Sequence, residues 1–154
     1  MQEPLSHVNK PVVMLSGGFD PPTRGHVSMI HDASKIGAVT ILLNSDEWCA
    51  VNRASCHSSF LPFKKRKAIL EALPFVSRVI PAEDSDRTVV SDLRRLRPDF
   101  FGNGGSRHPT NTPEVAVCKE LGIGMLWFLG DVVEPSMSEI LSHAIASSRH
   151  CVDE

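Results

Sequence analysis

The sequence predicts a three-layer α/β sandwich built around a five-stranded parallel sheet. Two observations carry this prediction: short apolar runs without polar alternation recur along the chain, and stretches with apolar residues at helical spacing lie between them. Strands covered on both faces have such runs, and strands that alternate with helices pair in parallel through right-handed crossovers. The 154 residues are the length of one domain, so we expect a single core.

The first half of the chain predicts two strands and two helices. Strands are predicted at residues 12–15 and 38–43, where the apolar runs are short and end at small or polar residues. Helices are predicted at 25–37 and 62–73, where apolar residues recur three or four positions apart. Residues 44–61 show no period, so we interpret them as an irregular loop longer than most connections in compact domains.

The alternation continues in the second half. Thr112 is expected to cap a helix that carries Glu114 near its first turn. No repeat, low-complexity tract or linker interrupts the order, so we predict one domain over 1–154, with a polar leader at 1–11 and a C-terminal helix and tail at 136–154. The other elements are predicted as strands at 76–80, 99–101 and 125–129 and helices at 88–96 and 136–149.

Composition excludes several classes of protein. With 42% hydrophobic and 22% charged residues the chain has the balance of a soluble globular domain, and its net charge of −2 gives no general attraction to nucleic acid or to an anionic membrane. No apolar run approaches the roughly 20 residues that span a bilayer, and no signal peptide is evident, so we expect a cytoplasmic protein. Free thiols and no zinc site are expected from the scattered cysteines Cys49, Cys56, Cys118 and Cys151.

The segment after the first strand has the composition of a phosphate site. Ligands of an open parallel sheet bind beyond the carboxyl ends of its strands. Gly17 and Gly18 allow backbone N–H groups to approach a ligand, and the helix that begins near Gly25 directs its positive end to the same place. His26 and Thr23 can donate hydrogen bonds to phosphate oxygens. An ordinary tight turn before a capped helix is the alternative interpretation, because a short glycine pattern alone does not separate the two.

Residues 17–26 read Gly-Gly-Phe-Asp-Pro-Pro-Thr-Arg-Gly-His. This segment resembles the signature Gly-x-Phe-Asp-Pro-x-(His or Thr)-x-Gly-His of the cytidylyltransferase-like nucleotidyltransferase superfamily. Within that superfamily the chain is most similar to the glycerol-3-phosphate cytidylyltransferases and the heptose-phosphate adenylyltransferases. The segments at 44–47, 62–66 and 136–140 are also similar to the family's, so the resemblance covers roughly residues 12 to 141. It implies a Rossmann-like three-layer sandwich.

The resemblance implies that a phosphate of a small acceptor attacks the α-phosphorus of a nucleoside triphosphate and releases pyrophosphate. Mg²⁺ would be bound through the triphosphate, with no metal ligand from the protein. The acceptor would be a sugar or polyol phosphate and the enzyme a homodimer. CTP is slightly favoured over ATP as the donor, because the helix from Pro62 to Leu73 looks closer to that of cytidylyltransferases, whereas residues 44–46 suit heptose-phosphate adenylyltransferases equally well. His26 is expected to be catalytic together with Thr23. The nucleotide-binding residues implied are Gly17, Gly18, Phe19, Asp20, Gly25, Arg53, Arg66, Gly104, Gly105, Ser106, Ser136 and Ser138.

Several positions depart from the family pattern. Family members usually carry lysines after the second strand, where this chain offers only Arg53 as a fixed cation, and they often carry Asp where it has Ser106. Arg107 follows as a substitute cation, and Arg66 has a second interpretation as an ion-pair partner at the sheet edge. These departures leave a non-catalytic nucleotide-binding or partner-binding module as an alternative. A flavodoxin-like redox or signalling domain is a third hypothesis, against which the segment ending in His26 argues.

Overall fold

The computed structural model describes residues 10–51, 59–105 and 107–130. Within these residues five strands pair in parallel in the order β3-β2-β1-β4-β5 and helices flank the sheet, which confirms the expected Rossmann-like α/β sandwich. The strands are β1 (Val12–Gly17), β2 (Ala38–Leu43), β3 (Val76–Pro81), β4 (Phe100–Gly104) and β5 (Gly124–Leu129). The helices are α1 (Arg24–Ser34), α2 (Asp46–Val51), α3 (Phe63–Glu71), α4 (Val90–Leu96) and α5 (Val115–Leu121).

Strand β1 is the centre of the sheet. It pairs with β2 along its whole length, from Val12 opposite Ala38 to Gly17 opposite Leu43, and it pairs with β4 on its other side. The strand order therefore reverses between β1 and β4, which opens a crevice beyond their carboxyl ends. The residues that follow β1 and β4 border this crevice.

Both faces of the sheet are covered by apolar side chains. Successive residues of a strand point to opposite faces, so Val13 and Leu15 pack with the buried residues of α1 and α3, whereas Met14 packs with those of α4 and α5. The continuous apolar runs in the sequence are thus explained by burial on two sides.

Two predictions about local structure are wrong. Residues 46–51, expected to be irregular, form the short helix α2, because the Ser45 Oγ caps it by accepting the Trp48 N–H at 3.1 Å. Thr112 does not cap α5, because its hydroxyl donates to the His108 carbonyl at 3.0 Å and Glu114 occupies the N-cap position. The predicted leader up to residue 9 and the predicted helix at 136–149 lie outside the described residues.

Cys49 and Cys118 are buried free thiols. Burial, and next the charge of Glu114, raises the pKa of the Cys118 thiol to about 11, so this thiol stays protonated at neutral pH. Across residues 10–51, 59–105 and 107–130, no helix is long and apolar enough to cross a bilayer. The same residues contain no group of three or more His, Cys, Asp or Glu side chains arranged to hold a metal ion.

Candidate active site

The glycine turn after β1 is packed against α2. A Cβ at Gly18 would lie 3.0 Å from the Cys49 Sγ and 3.3 Å from the Trp48 Cζ3, so a larger residue would force these two side chains to shift. Phe19, which follows, is buried and has a φ of 46°, a value that non-glycine residues rarely adopt. Strained residues of this kind cluster at ligand sites and persist only where the surrounding structure holds them.

Thr23 and His26 fix one another at the start of α1. The Thr23 hydroxyl accepts the His26 N–H at 3.4 Å, and the His26 Nδ1 accepts the Thr23 N–H at 3.0 Å, which together form a capping box. Because Nδ1 accepts a hydrogen bond, the neutral imidazole carries its proton on Nε2. The Phe19 ring contacts the imidazole with a centroid distance of 4.8 Å. The half-buried His26 is therefore oriented with Nε2–H as a donor.

The Asp20 carboxylate holds the end of the chain segment that returns from α2. Its Oδ2 accepts the Phe60 N–H at 2.8 Å and its Oδ1 accepts the Leu61 N–H at 2.7 Å. Both carboxylate oxygens thus bind successive backbone amides 40 and 41 residues along the chain. The observed task of Asp20 is to position residues 60 and 61 beside the glycine turn.

Arg66 connects the glycine turn to two other segments. Its side chain is fully buried in α3 and forms a 2.6 Å ion pair with Asp46, which confirms the ion-pair interpretation of this residue. The guanidinium also donates to three backbone carbonyls, those of Leu61 at 2.9 Å, Gly18 at 2.7 Å and Asn44 at 2.9 Å. Arg66 therefore stabilises the conformation of the glycine turn through the Gly18 carbonyl. Its direct contact with a nucleotide remains a prediction.

The Asp46 carboxylate is the counterion of this network. Partial burial raises its pKa, but hydrogen bonds from the Arg66 guanidinium, the Phe63 amide and the Ser59 hydroxyl, together with the Arg66 charge, lower it more. The net pKa of Asp46 lies below its usual range, so the carboxylate is ionised at neutral pH. Since the Phe63 amide begins α3, Asp46 also satisfies one of the free N–H groups of that helix.

We expect Asp46→Asn to remove a pH-dependent part of the stability. A carboxyl whose pKa is lowered by folding stabilises the fold above its unfolded pKa, and this contribution is lost as the pH falls below about 4. The side chain is 42% exposed, so solvent screening limits the effect to about 1 kcal/mol. Urea unfolding at pH 7 and pH 3 measures it: the variant should be less stable than the wild type at pH 7, with a smaller difference at pH 3. An equal difference at both values would contradict this assignment.

The opposite wall of the crevice comes from β4, β5 and α1. A Cβ at Gly104 would lie 2.7 Å from the Leu129 carbonyl oxygen and 2.8 Å from the Met29 Sδ, so only glycine fits there. Gly105 has a φ of 62° and nothing within 4 Å of its Cβ position. The predicted residues 17–19, 23, 25 and 26 and the pair Gly104-Gly105 thus meet at one edge of the sheet, and the Arg66 guanidinium reaches the same edge at the Gly18 and Asn44 carbonyls.

Residues 14–144 match the family model described as Cytidylyltransferase-like. The chain belongs to the cytidylyltransferase-like family. It is 32% identical over 117 residues to the D-beta-D-heptose 1-phosphate adenylyltransferase of Bordetella bronchiseptica, which covers 73% of this chain and 69% of that protein. It is 35% identical over 101 residues to the Bifunctional protein HldE of Aeromonas hydrophila, which covers 64% of this chain but 20% of that protein.

The fold has a solved counterpart. The lipopolysaccharide core biosynthesis protein from Thermoplasma volcanium superposes with a TM-score of 0.64 over 80% of this chain and 99% of that one. The sequences are 18% identical, so this likeness supports the fold alone. The family match and the relative at 32% identity place the chain among nucleotidyltransferases, and the solved structure agrees with the Rossmann-like sheet.

Four of the predicted nucleotide-binding residues lie outside the part of the chain that the structure describes, and Arg107 is engaged with a carboxylate. These four residues are Arg53, Ser106, Ser136 and Ser138, and their contacts with a nucleotide remain predictions. Arg107 donates to Glu114 at 3.4 Å, and Glu114, which is nearly fully buried, also accepts the Val89 N–H at 3.3 Å. Arg107 therefore neutralises a buried carboxylate and attaches the loop after β4 to the start of α5.

Sequence reasoning missed the residues that support the site. Asp84, from the loop after β3, accepts the Ser45 amide at 2.8 Å and the Ser45 hydroxyl at 3.0 Å and so fixes the start of α2. The Arg87 guanidinium lies 5.0 Å from the Trp48 ring centroid and contacts the same helix. These pairs are 39 residues apart in the sequence, and no local pattern signals them.

Proposed function

We propose that this protein transfers a nucleoside monophosphate from ATP to a small phosphorylated acceptor and releases pyrophosphate. The single observation that carries the proposal is the arrangement at the start of α1, where the capping box between Thr23 and His26 fixes the imidazole beside the glycine turn. The backbone N–H groups of the turn and the N-terminus of α1, a helix of eleven residues, add a positive electrostatic environment. Such a site suits a polyphosphate.

The chemistry needs no covalent intermediate on the protein. An oxygen of the acceptor phosphate forms a bond to the α-phosphorus, while the bond from that phosphorus to the bridging oxygen breaks and pyrophosphate leaves with the electron pair. His26 would donate from Nε2 to a phosphate oxygen and stabilise the charge that develops in the transition state. The glycine turn would hold the phosphates in line. The groups gathered there are N–H and hydroxyl donors, which suit phosphate and not a cation, so Mg²⁺ would enter with the triphosphate.

ATP is proposed as the donor because the relative that this chain resembles over 73% of its length is named an adenylyltransferase. The sequence alone leaned slightly to CTP, mainly on the helix that follows Pro62. That helix is α3, whose buried Arg66 is engaged with Asp46 and three backbone carbonyls, so its guanidinium holds the loops in place and does not read a base. The argument for CTP is thereby weakened.

The acceptor is proposed to be a sugar or polyol phosphate. A cavity of about 230 Å³ opens at the carboxyl ends of β2 and β3, and Asp46, through Arg66, links its wall to the glycine turn. Its volume is below the range usual for drug-sized ligands, and among the residues that the structure describes its lining holds the carboxylates of Asp46 and Glu47 but no cation, so it suits the hydroxyl groups of a small sugar or polyol and not the phosphate. Its mixed apolar and polar lining consists of Leu43, Ser45, Asp46, Glu47, Phe63, Pro81 and Ala82.

One observation favours a second candidate, a nucleotide-binding protein without transferase activity. Arg66 and Arg107 are basic residues that the sequence offers near the site, and both are engaged with carboxylates of the protein. If no other cation reaches the triphosphate, the pyrophosphate leaving group lacks stabilisation. Nucleotide binding would then survive without turnover.

The test compares the four ribonucleoside triphosphates by thermal shift and by pyrophosphate release. ATP at 100 times its dissociation constant should stabilise the protein by about 2.7 kcal/mol, and it should stabilise more than CTP at equal concentration. Pyrophosphate should appear when ATP, Mg²⁺ and a panel of sugar and polyol phosphates are added. Binding without pyrophosphate across the panel would favour the second candidate. No shift with any triphosphate would contradict both.

A further inference from the structure

Asp32 joins the last turn of α1 to the end of β5. Its Oδ2 accepts the Gly130 N–H at 2.8 Å across 98 residues of chain, and its Oδ1 lies 3.3 Å from the Lys35 Nζ. The Gly130 hydrogen bond is the largest influence on the pKa of Asp32, which is lowered despite the opposing effect of burial. The side chain is 26% exposed, so this bond is partly shielded from water.

A carboxylate in the last turn is unfavourable for α1 itself. The negative end of the helix dipole lies there and repels a like charge. Lys35 offsets part of this cost, but its side chain is 64% exposed and the pair is a surface ion pair. The Gly130 contact is therefore the interaction that accounts for an aspartate at this position.

Gly130 lies directly on the backbone of α1. Its φ is 87°, and a Cβ there would be 3.2 Å from the Met29 amide nitrogen and 3.5 Å from the Gly25 carbonyl oxygen. Met29 also approaches Gly104 through its Sδ. The first turns of α1, which contain His26, are thus packed against the ends of β5 and β4, and Asp32 supplies a hydrogen bond across this contact.

We propose that Asp32 is a positioning residue for nucleotide binding, which it supports by fixing the spacing between the His26 turn and Gly104-Gly105. This inference rests on the proposed function. Asp32 follows His26 by six residues, or about 9 Å along a helix axis, so it touches no reacting atom. Its loss would widen the crevice for the nucleotide while leaving the Thr23–His26 pair in place. Affinity for the nucleotide should therefore fall more than kcat.

The test uses the full chain with ATP and Mg²⁺. We expect Asp32→Ala to raise the dissociation constant and the KM for ATP about tenfold, or about 1.4 kcal/mol, with kcat within about threefold of the wild type. Asp32→Asn should stay within about threefold in all three constants, because its Oδ1 still accepts the Gly130 N–H. Lys35→Ala removes only the exposed ion pair and should match the wild type.

Gly130→Ala disturbs the contact between β5 and α1 at Gly130 and leaves Asp32 in place. Its methyl group would press on the Met29 amide, so the KM for ATP should rise as in Asp32→Ala. If Asp32→Ala does not fold, Gly130→Ala tests the inference instead. An unchanged affinity of Gly130→Ala for ATP overturns the inference. If Asp32→Ala folds and binds ATP as tightly as the wild type, the inference is overturned and the proposed function still stands. Failure of the wild type to bind any triphosphate overturns both.

Discussion

His26→Ala is expected to lower kcat by about 10²-fold or more, the scale for losing one donor to a developing negative charge. The physical reason is that the Nε2–H of the fixed imidazole has no replacement in alanine. Steady-state release of pyrophosphate measures this, with the KM for ATP recorded in the same experiment. We expect kcat to fall more than the KM rises, because the donor acts mainly on the transition state.

Two further substitutions separate catalysis from capping. Asn carries its amide oxygen near the position of Nδ1, so His26→Asn can still accept the Thr23 N–H but offers no donor at the Nε2 position. Gln carries its amide nitrogen near the position of Nε2, so His26→Gln keeps a donor there. The asparagine variant should be as stable as the wild type and as inactive as the alanine variant, whereas the glutamine variant should regain part of the activity. A wild-type rate in the asparagine variant would remove His26 from the mechanism.

The sheet and the position of the phosphate site follow from local patterns. Continuous apolar runs predict buried parallel strands, and the glycines that follow β1 place the site at their carboxyl edge. The strands and the position of the site both depend on residues that are adjacent in the sequence, so one amino-acid sequence is enough to infer them. The segment ending in His26 adds the family, which the match over residues 14–144 shows.

The supporting contacts could not be predicted for a physical reason. A six-residue helix such as α2 has too few turns for a period, and its cap, Ser45, is held by Asp84 from another strand's loop. The sequence predicts an ion pair for Arg66 but not the full burial of its side chain, because the partners of the guanidinium come from three separate segments. Burial of a charge depends on such partners, and they become neighbours only when the sheet forms.

Arg66→Ala is expected to destabilise the fold by about 3–5 kcal/mol, mostly through lost hydrogen bonds to backbone carbonyls and lost packing of a fully buried side chain, since Asp46 is 42% exposed and its ion pair contributes about 1 kcal/mol. The substitution leaves the carbonyls of Leu61, Gly18 and Asn44 without their donor and leaves a cavity beside the glycine turn. For a chain of 154 residues this corresponds to a fall in Tm on the order of 10 °C. Thermal unfolding with and without ATP measures the loss, and ATP affinity should fall as well because the turn is released.

Lys67→Ala is the matched control, since Lys67 is the next residue of α3 and forms only an exposed pair with Glu71 at 3.4 Å. It should lose at most about 0.5 kcal/mol. Arg66→Lys keeps the charge, but a single ammonium cannot reach a carboxylate and three carbonyls that the planar guanidinium reaches together. We therefore expect it to recover less than half of the stability lost in Arg66→Ala. Equal stability of Arg66→Ala and Lys67→Ala would show that the network behind the glycine turn contributes nothing to the fold.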